Sequence, residues 1–283
     1  MGILTEKVAV ITGGTRGIGL AIARAYAREG AAVVLASRSQ SALDAAVQQI
    51  ASAGGRAAGL SVDVADRQQV QSLATLALEQ FGHLDIWVNN AGIAGPYGPT
   101  LDLDPAEFTR LVQTNILGTY YGSRVAMLHF TAQRSGKLIN LLGRGYKGPL
   151  PWQNAYGSSK AWVRAFTRAL AEETKASGAG VFAFNPGMVL TDLLTDVVVI
   201  AGCEQRLNVF PTVVRMLARP VDAPANKAVW IASSATDGKT GLEISLSSPA
   251  KMLGQVLREG LRTVRKRSTP VSMKIRTIPP YRD

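Results

Sequence analysis

The chain has 283 residues, of which 47% are hydrophobic, with one cysteine, two histidines and a formal net charge of +11. Its lone Cys203 excludes an intrachain disulfide, and so few Cys and His side chains argue against a metal site. No apolar run approaches the roughly 18–20 residues that span a bilayer, and a first strand within about ten residues of Met1 leaves no room for a signal peptide, so we expect a cytoplasmic protein.

The first element is a strand that ends in a glycine-rich turn. An apolar run at 8–11 leads into Thr12–Gly19, and an amphipathic helical stretch follows from Leu20. Glycines tolerate positive φ and let the backbone approach a ligand closely, and the free N–H groups of a helix start bind phosphate. The strand–turn–helix context therefore predicts that this turn holds the diphosphate of a nucleotide.

Apolar runs then recur along the chain with helical segments between them. They cover 7–12, 31–36, 57–62, 84–89, 137–142, 179–185 and 242–246. Such alternation implies right-handed βαβ crossovers and a parallel sheet covered on both faces. Asp104 and Pro105 begin a helix that is expected to run to about residue 133. We predict a single α/β domain over residues 1–248.

The end of the second strand indicates which dinucleotide is bound. An Asp or Glu there would accept hydrogen bonds from the adenosine ribose of NAD. This chain has Ser37 and Arg38 instead. Arg38 offers a planar cationic fork to a 2′-phosphate, and Arg16 in the glycine-rich turn can approach it from the other side. Unless both arginines are only solvated surface residues, the cofactor is NADP(H).

Tyr156 and Lys160 form a pair one helical turn apart. Positions i and i+4 lie on one face of a helix, so the ammonium group can favour the ionised form of the phenol. A tyrosine tuned in this way can exchange a proton with a substrate oxygen. Taken alone the spacing is also that of an ordinary surface pair, and the glycine-rich turn favours the functional reading.

Together these motifs resemble the short-chain dehydrogenase/reductase family. The resemblance is carried over roughly residues 5–247 by Thr12–Gly19, Asn89–Gly92, Asn115, Tyr156 with Lys160, and Pro186-Gly187 with Thr191. It implies one doubly wound, Rossmann-like domain with a seven-stranded parallel sheet. The cofactor contacts that it implies are Gly13, Thr15, Arg16, Gly17, Ile18, Gly19, Ser37, Arg38, Asp63, Val64, Asn90, Ala91, Gly92, Tyr156, Lys160, Pro186, Gly187, Val189 and Thr191.

The resemblance also assigns individual roles. Asp63 and Val64 would flank the adenine, and Thr191 would hold the nicotinamide carboxamide. Asn115 would organise a water beside Lys160, which gives a catalytic set of Tyr156, Lys160 and Asn115. Asn89 either closes the floor of the cofactor site or only braces the sheet.

One member of the family's catalytic set is missing. The family has a Ser or Thr about thirteen residues before the tyrosine, and Gly143 stands there in this chain, with no Ser or Thr between Ser135 and Tyr156. Losing one such preorganised donor typically costs on the order of 10²–10³ in rate. Three explanations stay open. Tyr146, Gln153 or Asn154 replaces the donor, the substrate does not need it, or hydride transfer has been lost.

The substrate site is expected between 93–100, 144–153 and 188–222. Aromatic and apolar residues in these segments favour an apolar substrate, with Gly143, Tyr146, Trp152 and Gln153 as its contacts. Gly143 would leave space beside the nicotinamide for a bulky substrate. The leading function is an NADPH-dependent carbonyl reductase or alcohol dehydrogenase. The alternatives are a lyase, isomerase or cyclase without net redox, and an NADP(H)-binding regulator without turnover.

The basic excess lies at the C-terminal end. Residues 251–283 hold nine Lys/Arg against two acidic residues, a net charge of +7 that leaves +4 for the rest. Ser248 and Pro249 predict the start of a helix, so we assign residues 249–283 to a basic helix and tail. It packs with a solvated basic face, docks on a neighbouring subunit, or makes weak contact with an anionic membrane surface. Few aromatic residues argue against nucleic acid, and the family resemblance implies a homodimer or homotetramer.

Overall fold

A computed structural model describes residues 2–246 and 272–282 of the chain. The strands are β1 (Val8–Thr12), β2 (Ala32–Ser37), β3 (Arg56–Ser61), β4 (Ile86–Asn89), β5 (Lys137–Leu141), β6 (Gly180–Asn185), β7 (Asp196–Ile200), β8 (Glu243–Ser245) and β9 (Lys274–Ile278). The helices are α1 (Gly17–Arg28), α2 (Gln40–Ser52), α3 (Arg67–Phe81), α4 (Pro105–Val112), α5 (Gly118–Gln133), α6 (Asn154–Glu173), α7 (Asp192–Thr195), α8 (Phe210–Leu217) and α9 (Asp222–Ala232). The helix predicted from Ser248 lies outside the described residues.

Seven strands form one parallel sheet in the order β3-β2-β1-β4-β5-β6-β8. Buried side chains of α1, α2 and α9 pack on one face, and those of α3, α5 and α6 pack on the other. The predicted doubly wound, Rossmann-like fold is confirmed. The strand order reverses between β1 and β4, and ligands of such sheets bind beyond the carboxyl ends of the strands at this point.

The helix expected from Asp104 to about residue 133 is present but irregular. Asp104 caps its first turn by accepting a hydrogen bond from the N–H of Ala106 (2.8 Å). Between α4 and α5 the backbone widens into a π-helical turn at Gln113–Leu117, which contains Asn115. Such turns often occur at functional sites. No feature of the sequence indicated this widening.

The segment Asp196–Ile200 forms strand β7 outside the main sheet. It pairs in parallel with β9, from Asp196 opposite Lys274 to Ile200 opposite Ile278. On the other edge of β7, the backbone N–H of Tyr97 donates to the carbonyl of Val198 (2.8 Å). The described end of the predicted basic tail is therefore part of a small sheet beside the main one. Among the described helices, none has both the length and the apolar character needed to cross a bilayer.

Candidate active site

The glycine-rich turn lies at the carboxyl end of β1, and hydrogen bonds with Asn90 and Ala91 hold it in place. The N–H groups of Asn90 and Ala91 donate to Thr12 Oγ1 (3.0 and 3.1 Å), and Asn90 Nδ2 donates to the carbonyls of Thr12 (2.9 Å) and Gly13 (3.1 Å). A Cβ on Gly19 would overlap the Gly13 carbonyl. Helix α1 begins without a side-chain cap, so its first N–H groups are available to an anion.

A cleft of about 200 Å³ opens above this turn. The expected cofactor residues that line it are Gly13, Thr15, Arg16, Gly17, Ile18, Ser37, Arg38, Asp63, Val64, Asn90, Ala91, Gly92 and Thr191. Further lining residues, which were not expected as cofactor contacts, are Ala36, Val62, Ile93, Thr114, Asp192 and Leu193. Because glycines form the floor and a helix N-terminus faces the cleft, the site fits a dinucleotide.

The end of the cleft beside β2 combines hydroxyl and guanidinium groups. Thr15 Oγ1 donates to Ser37 Oγ (3.2 Å), which also accepts from the N–H of Ser39 (3.4 Å). Arg38 is exposed beside them. Arg16 Nη1 lies 3.7 Å from Asp192 Oδ2, an exposed ion pair across the mouth of the cleft. Arg16 and Arg38 thus line the same cleft, and Arg16 also forms an ion pair with Asp192.

Tyr156 and Lys160 lie on one face of α6, with the lysine Nζ 5.9 Å from the centre of the tyrosine ring. Lys160 Nζ donates to the carbonyl of Leu141 (3.1 Å). Burial raises the pKa of Tyr156 to about 12 and lowers the pKa of Lys160 to about 8. In the protein alone, burial outweighs the expected stabilisation of the phenolate. The phenol is consequently protonated at neutral pH.

Asn115 is fully buried and ties three elements together. Its Oδ1 accepts from the N–H of Ile93 (2.9 Å), while Nδ2 donates to the Ile93 carbonyl (2.9 Å) and to Ser159 Oγ (3.1 Å). A Cβ built on Gly92 would lie 3.3 Å from Asn115 Oδ1 and 3.6 Å from Lys160 Nζ. Asn115 and Lys160 therefore approach each other around Gly92, where an added Cβ would fit only tightly.

Asn89 belongs to a separate buried network. Trp87 Nε1 donates to its Oδ1 (2.8 Å), and its Nδ2 donates to Asn140 Oδ1 (2.8 Å) and to Ser123 Oγ (3.1 Å). These bonds use both ends of the amide to join β4, β5 and α5. Of the two roles left open by the sequence, the structure shows the bracing one.

Gly143 lies directly against the catalytic pair. A Cβ at this position would overlap Tyr156 Oη, at 3.0 Å from Tyr156 Cζ and 3.3 Å from Lys160 Cγ. The expectation that Gly143 leaves space for a bulky substrate is wrong in this respect. The tyrosine hydroxyl itself takes up the space that a side chain at 143 would need.

The other expected substrate residues separate into two groups. Tyr146 packs beside Trp162 on the small cluster of Leu142, Val163 and Ala183, with Lys147 Nζ 5.3 Å from its ring centre. Trp152 and Gln153 line a narrow cleft together with Tyr156. Asn154 Nδ2 donates to Thr100 Oγ1 (3.2 Å). Of the three suggested replacements for the missing hydroxyl, Gln153 and Asn154 line that cleft and Tyr146 does not.

The loop after β6 completes the site. Gly187 adopts φ +76°, and its N–H donates to Asn185 Oδ1 (3.0 Å). Val189 is buried in a β-bridge with Arg219. A Cβ on Gly17 would lie 3.3 Å from Thr191 Cγ2. The segment Pro186–Thr191 therefore reaches the glycine-rich turn, although Pro186, Gly187 and Val189 do not line the cofactor cleft.

Known proteins share this architecture. A family model described as short chain dehydrogenase matches residues 7–198. The crystal structure of 3-ketoacyl-(acyl-carrier-protein) reductase from Brucella melitensis complexed with NADH matches with a TM-score of 0.76 and 29% identity, covering 86% of this chain and 97% of that one. Cis-4-hydroxycyclohexanecarboxylate dehydrogenase of Sinomonas cyclohexanicum is 35% identical over 242 residues, 83% of this chain and 93% of that protein.

Similar proteins also include a much longer one. "Probable chlorophyll(ide) b reductase NYC1, chloroplastic" of Arabidopsis thaliana is 33% identical over 204 residues, which are 65% of this chain and 41% of that protein. The chain thus spans less than half the length of that relative.

Proposed function

The chain belongs to the short-chain dehydrogenase family of oxidoreductases, and on that premise we propose that it transfers a hydride between NADP(H) and a carbonyl or alcohol carbon. The observation that carries the proposal is the convergence of Tyr156, Lys160 and Asn115 beside a cleft that fits a dinucleotide. In the direction of reduction, the substrate is a ketone or aldehyde and the product an alcohol.

The protein's own part in this chemistry is to hold and move a proton. A bound nicotinamide supplies or accepts the hydride. The Tyr156 phenol, protonated because burial raises its pKa to about 12, gives its proton to the carbonyl oxygen. Lys160 sits beside the ring on the same helix face, and its ammonium group stabilises the phenolate that remains. Alcohol oxidation runs through the same groups in reverse.

The proposed cofactor is NADP(H) and not NAD(H). In support, β2 ends in Ser37 and Arg38 without a carboxylate to pair with a free ribose, and Arg16 and Arg38 line the same cleft. A guanidinium fork fits the oxygens of a 2′-phosphate. The relative crystallised with NADH shows that the family also uses the other cofactor.

The missing donor at Gly143 favours a second candidate, an NADP(H)-binding protein without turnover. Consumption of NADPH with a panel of cyclic and linear ketones and aldehydes separates the two. If the wild type reduces any of these carbonyl compounds and Tyr156→Phe does not, the result supports the oxidoreductase. Tight NADPH binding without turnover of any member of the panel supports the second candidate.

We also propose a homodimer or homotetramer that pairs α5 and α6 across subunits. Tyr120 and Leu128 are exposed apolar side chains on α5. On the neighbouring α6, Trp162 stacks on Phe166 with ring centres 4.8 Å apart, and Phe166 lies 6.1 Å from Tyr120. Light scattering of the purified protein gives the subunit number, and Leu128→Glu is expected to lower it.

A further inference from the structure

Trp152 is held in a strained conformation next to the catalytic helix. Its φ is +69°, in the left-handed region that a bulky side chain rarely adopts. Its carbonyl accepts a hydrogen bond from the N–H of Gly98 (2.8 Å). Helix α6 begins two residues later, and Trp152 lines a cleft together with Tyr156. Strain of this kind persists where the surroundings enforce it, often at ligand sites.

A guanidinium group stacks on this tryptophan. Arg206 Cζ lies 3.9 Å from the centre of the Trp152 ring. Cys203 and Leu207, at the two ends of the turn that carries Arg206, are buried, whereas Arg206 itself is exposed. Stacking uses the flat face of the guanidinium and leaves its N–H donors, which point outward in the plane of the group, free to bind an anion.

The acidic residues around this turn are engaged elsewhere. Asp196 pairs with Arg276 and Asp102 with Arg282, each at 3.2 Å. Glu204 Oε2 accepts from the N–H of Gly202 (2.9 Å). Over residues 2–246 and 272–282, no carboxylate lies within ion-pairing distance of Arg206. Arg206 is thus a cation without a counter-charge among these residues, and it stacks on Trp152, which lines the cleft that Tyr156 shares.

From this arrangement we infer that Arg206 binds a carboxylate on the substrate, remote from the carbon that reacts. The inference rests on the proposed oxidoreductase function and narrows its substrate class to keto acids and hydroxy acids with an apolar body. Leu103, Leu111 and Trp152 give that cleft apolar surface, and the stacked guanidinium pairs with the carboxylate as a fork. Arg206 is a substrate-binding residue in this scheme, and Trp152 positions it.

The test compares acids with their own methyl esters. Wild type, Arg206→Gln, Arg206→Lys and the control Arg67→Gln, which removes an exposed charge at the start of α3, are assayed with NADPH on 4-oxocyclohexanecarboxylate, 5-oxohexanoate and both methyl esters. We expect wild type to prefer the acids. Arg206→Gln should lower kcat/KM for the acids by at least about tenfold, mainly through KM, and leave the esters within about twofold, with Arg206→Lys in between.

Calorimetric titration of the same acids and esters into the NADP⁺ complex gives a readout that needs no turnover. If wild type shows no preference for acid over ester in either measurement, or if Arg206→Gln keeps the wild-type preference, the inference is wrong. Absence of turnover with every carbonyl, while the acids still bind through Arg206, would instead contradict the proposed function.

Discussion

The hydroxyl of Tyr156 rests against the backbone of Gly143, in the space that a Cβ at position 143 would need. This contact links two features of the sequence, the retained tyrosine and the missing Ser or Thr. A residue larger than glycine at 143 would force the phenol to move, because the Cβ would also lie only 3.0 Å from Tyr156 Cζ. The tyrosine can therefore keep this position only because position 143 has no side chain.

Restoring a hydroxyl at position 143 is accordingly expected to harm the enzyme. Gly143→Ser and Gly143→Ala should both lower kcat for carbonyl reduction on the order of 10²-fold, because they displace the proton donor. The two rates should be similar, since the steric conflict begins at Cβ. Steady-state kinetics with NADPH measure both. A Gly143→Ser enzyme that is faster than wild type would show that the glycine has merely lost a useful donor.

Removing the phenolic hydroxyl tests the proton donor. Tyr156→Phe should lower kcat by about 10²–10⁴-fold, because general acid catalysis is lost. The affinity for NADPH should stay within about twofold, since the ring and its packing remain. Calorimetry and single-turnover rates give the two values. Full activity of Tyr156→Phe would require another proton donor and would contradict the mechanism.

The buried lysine predicts a pH dependence. Burial lowers the pKa of Lys160 to about 8, so its side chain is charged below that pH and neutral above it. If the ammonium group supports the phenolate formed during reduction, kcat should be constant below pH 8 and fall about tenfold per pH unit above it. In Lys160→Met the overall rate should be lower and this fall should be absent. A wild-type profile that is flat through pH 10 would rule out the role of the charge.

Much of the fold could be predicted because its signals are local. Most strands of the large sheet are short apolar runs, and the glycine-rich turn marks the cofactor cleft without any long-range information. The widening around Asn115 and the closeness of Gly143 to Tyr156 were not predictable, because they depend on how α5 and α6 pack. Strand β9 was not predicted, because its residues are mostly exposed and do not form an apolar run. Its partner is nearly eighty residues away in the chain.

Cofactor choice is tested at Arg38. NADPH is expected to bind at least about tenfold more tightly than NADH, because the proposed site would place two guanidinium groups near the 2′-phosphate. Arg38→Asp should remove most of that difference, while Arg67→Gln, whose side chain does not line the cleft, should not. Asp192→Asn should strengthen NADPH binding modestly, because it frees Arg16 from its exposed ion pair. Equal dissociation constants of the two nucleotides for wild type would contradict the assignment of NADP(H).

Strand β9 is expected to hold the loop that carries Arg206. It pairs with β7 over five residues, and the N–H of Tyr281 donates to the carbonyl of Asp102 (2.9 Å). Each backbone hydrogen bond contributes about 0.5–1.5 kcal/mol, so deletion of residues 272–283 should raise amide exchange across 196–200 by at least about tenfold.

The substrate KM should rise in the deletion variant, while the affinity for NADPH stays unchanged, because no residue of β7 or β9 lines the cofactor cleft. Arg276→Ala is the matched control, because it removes only an exposed ion pair with Asp196 and should have a small effect. Hydrogen exchange with mass spectrometry and steady-state kinetics decide the matter. If exchange at 196–200 and KM both keep their wild-type values after the deletion, β7 is held by Tyr97 alone and the C-terminal strand has no part in shaping the substrate site.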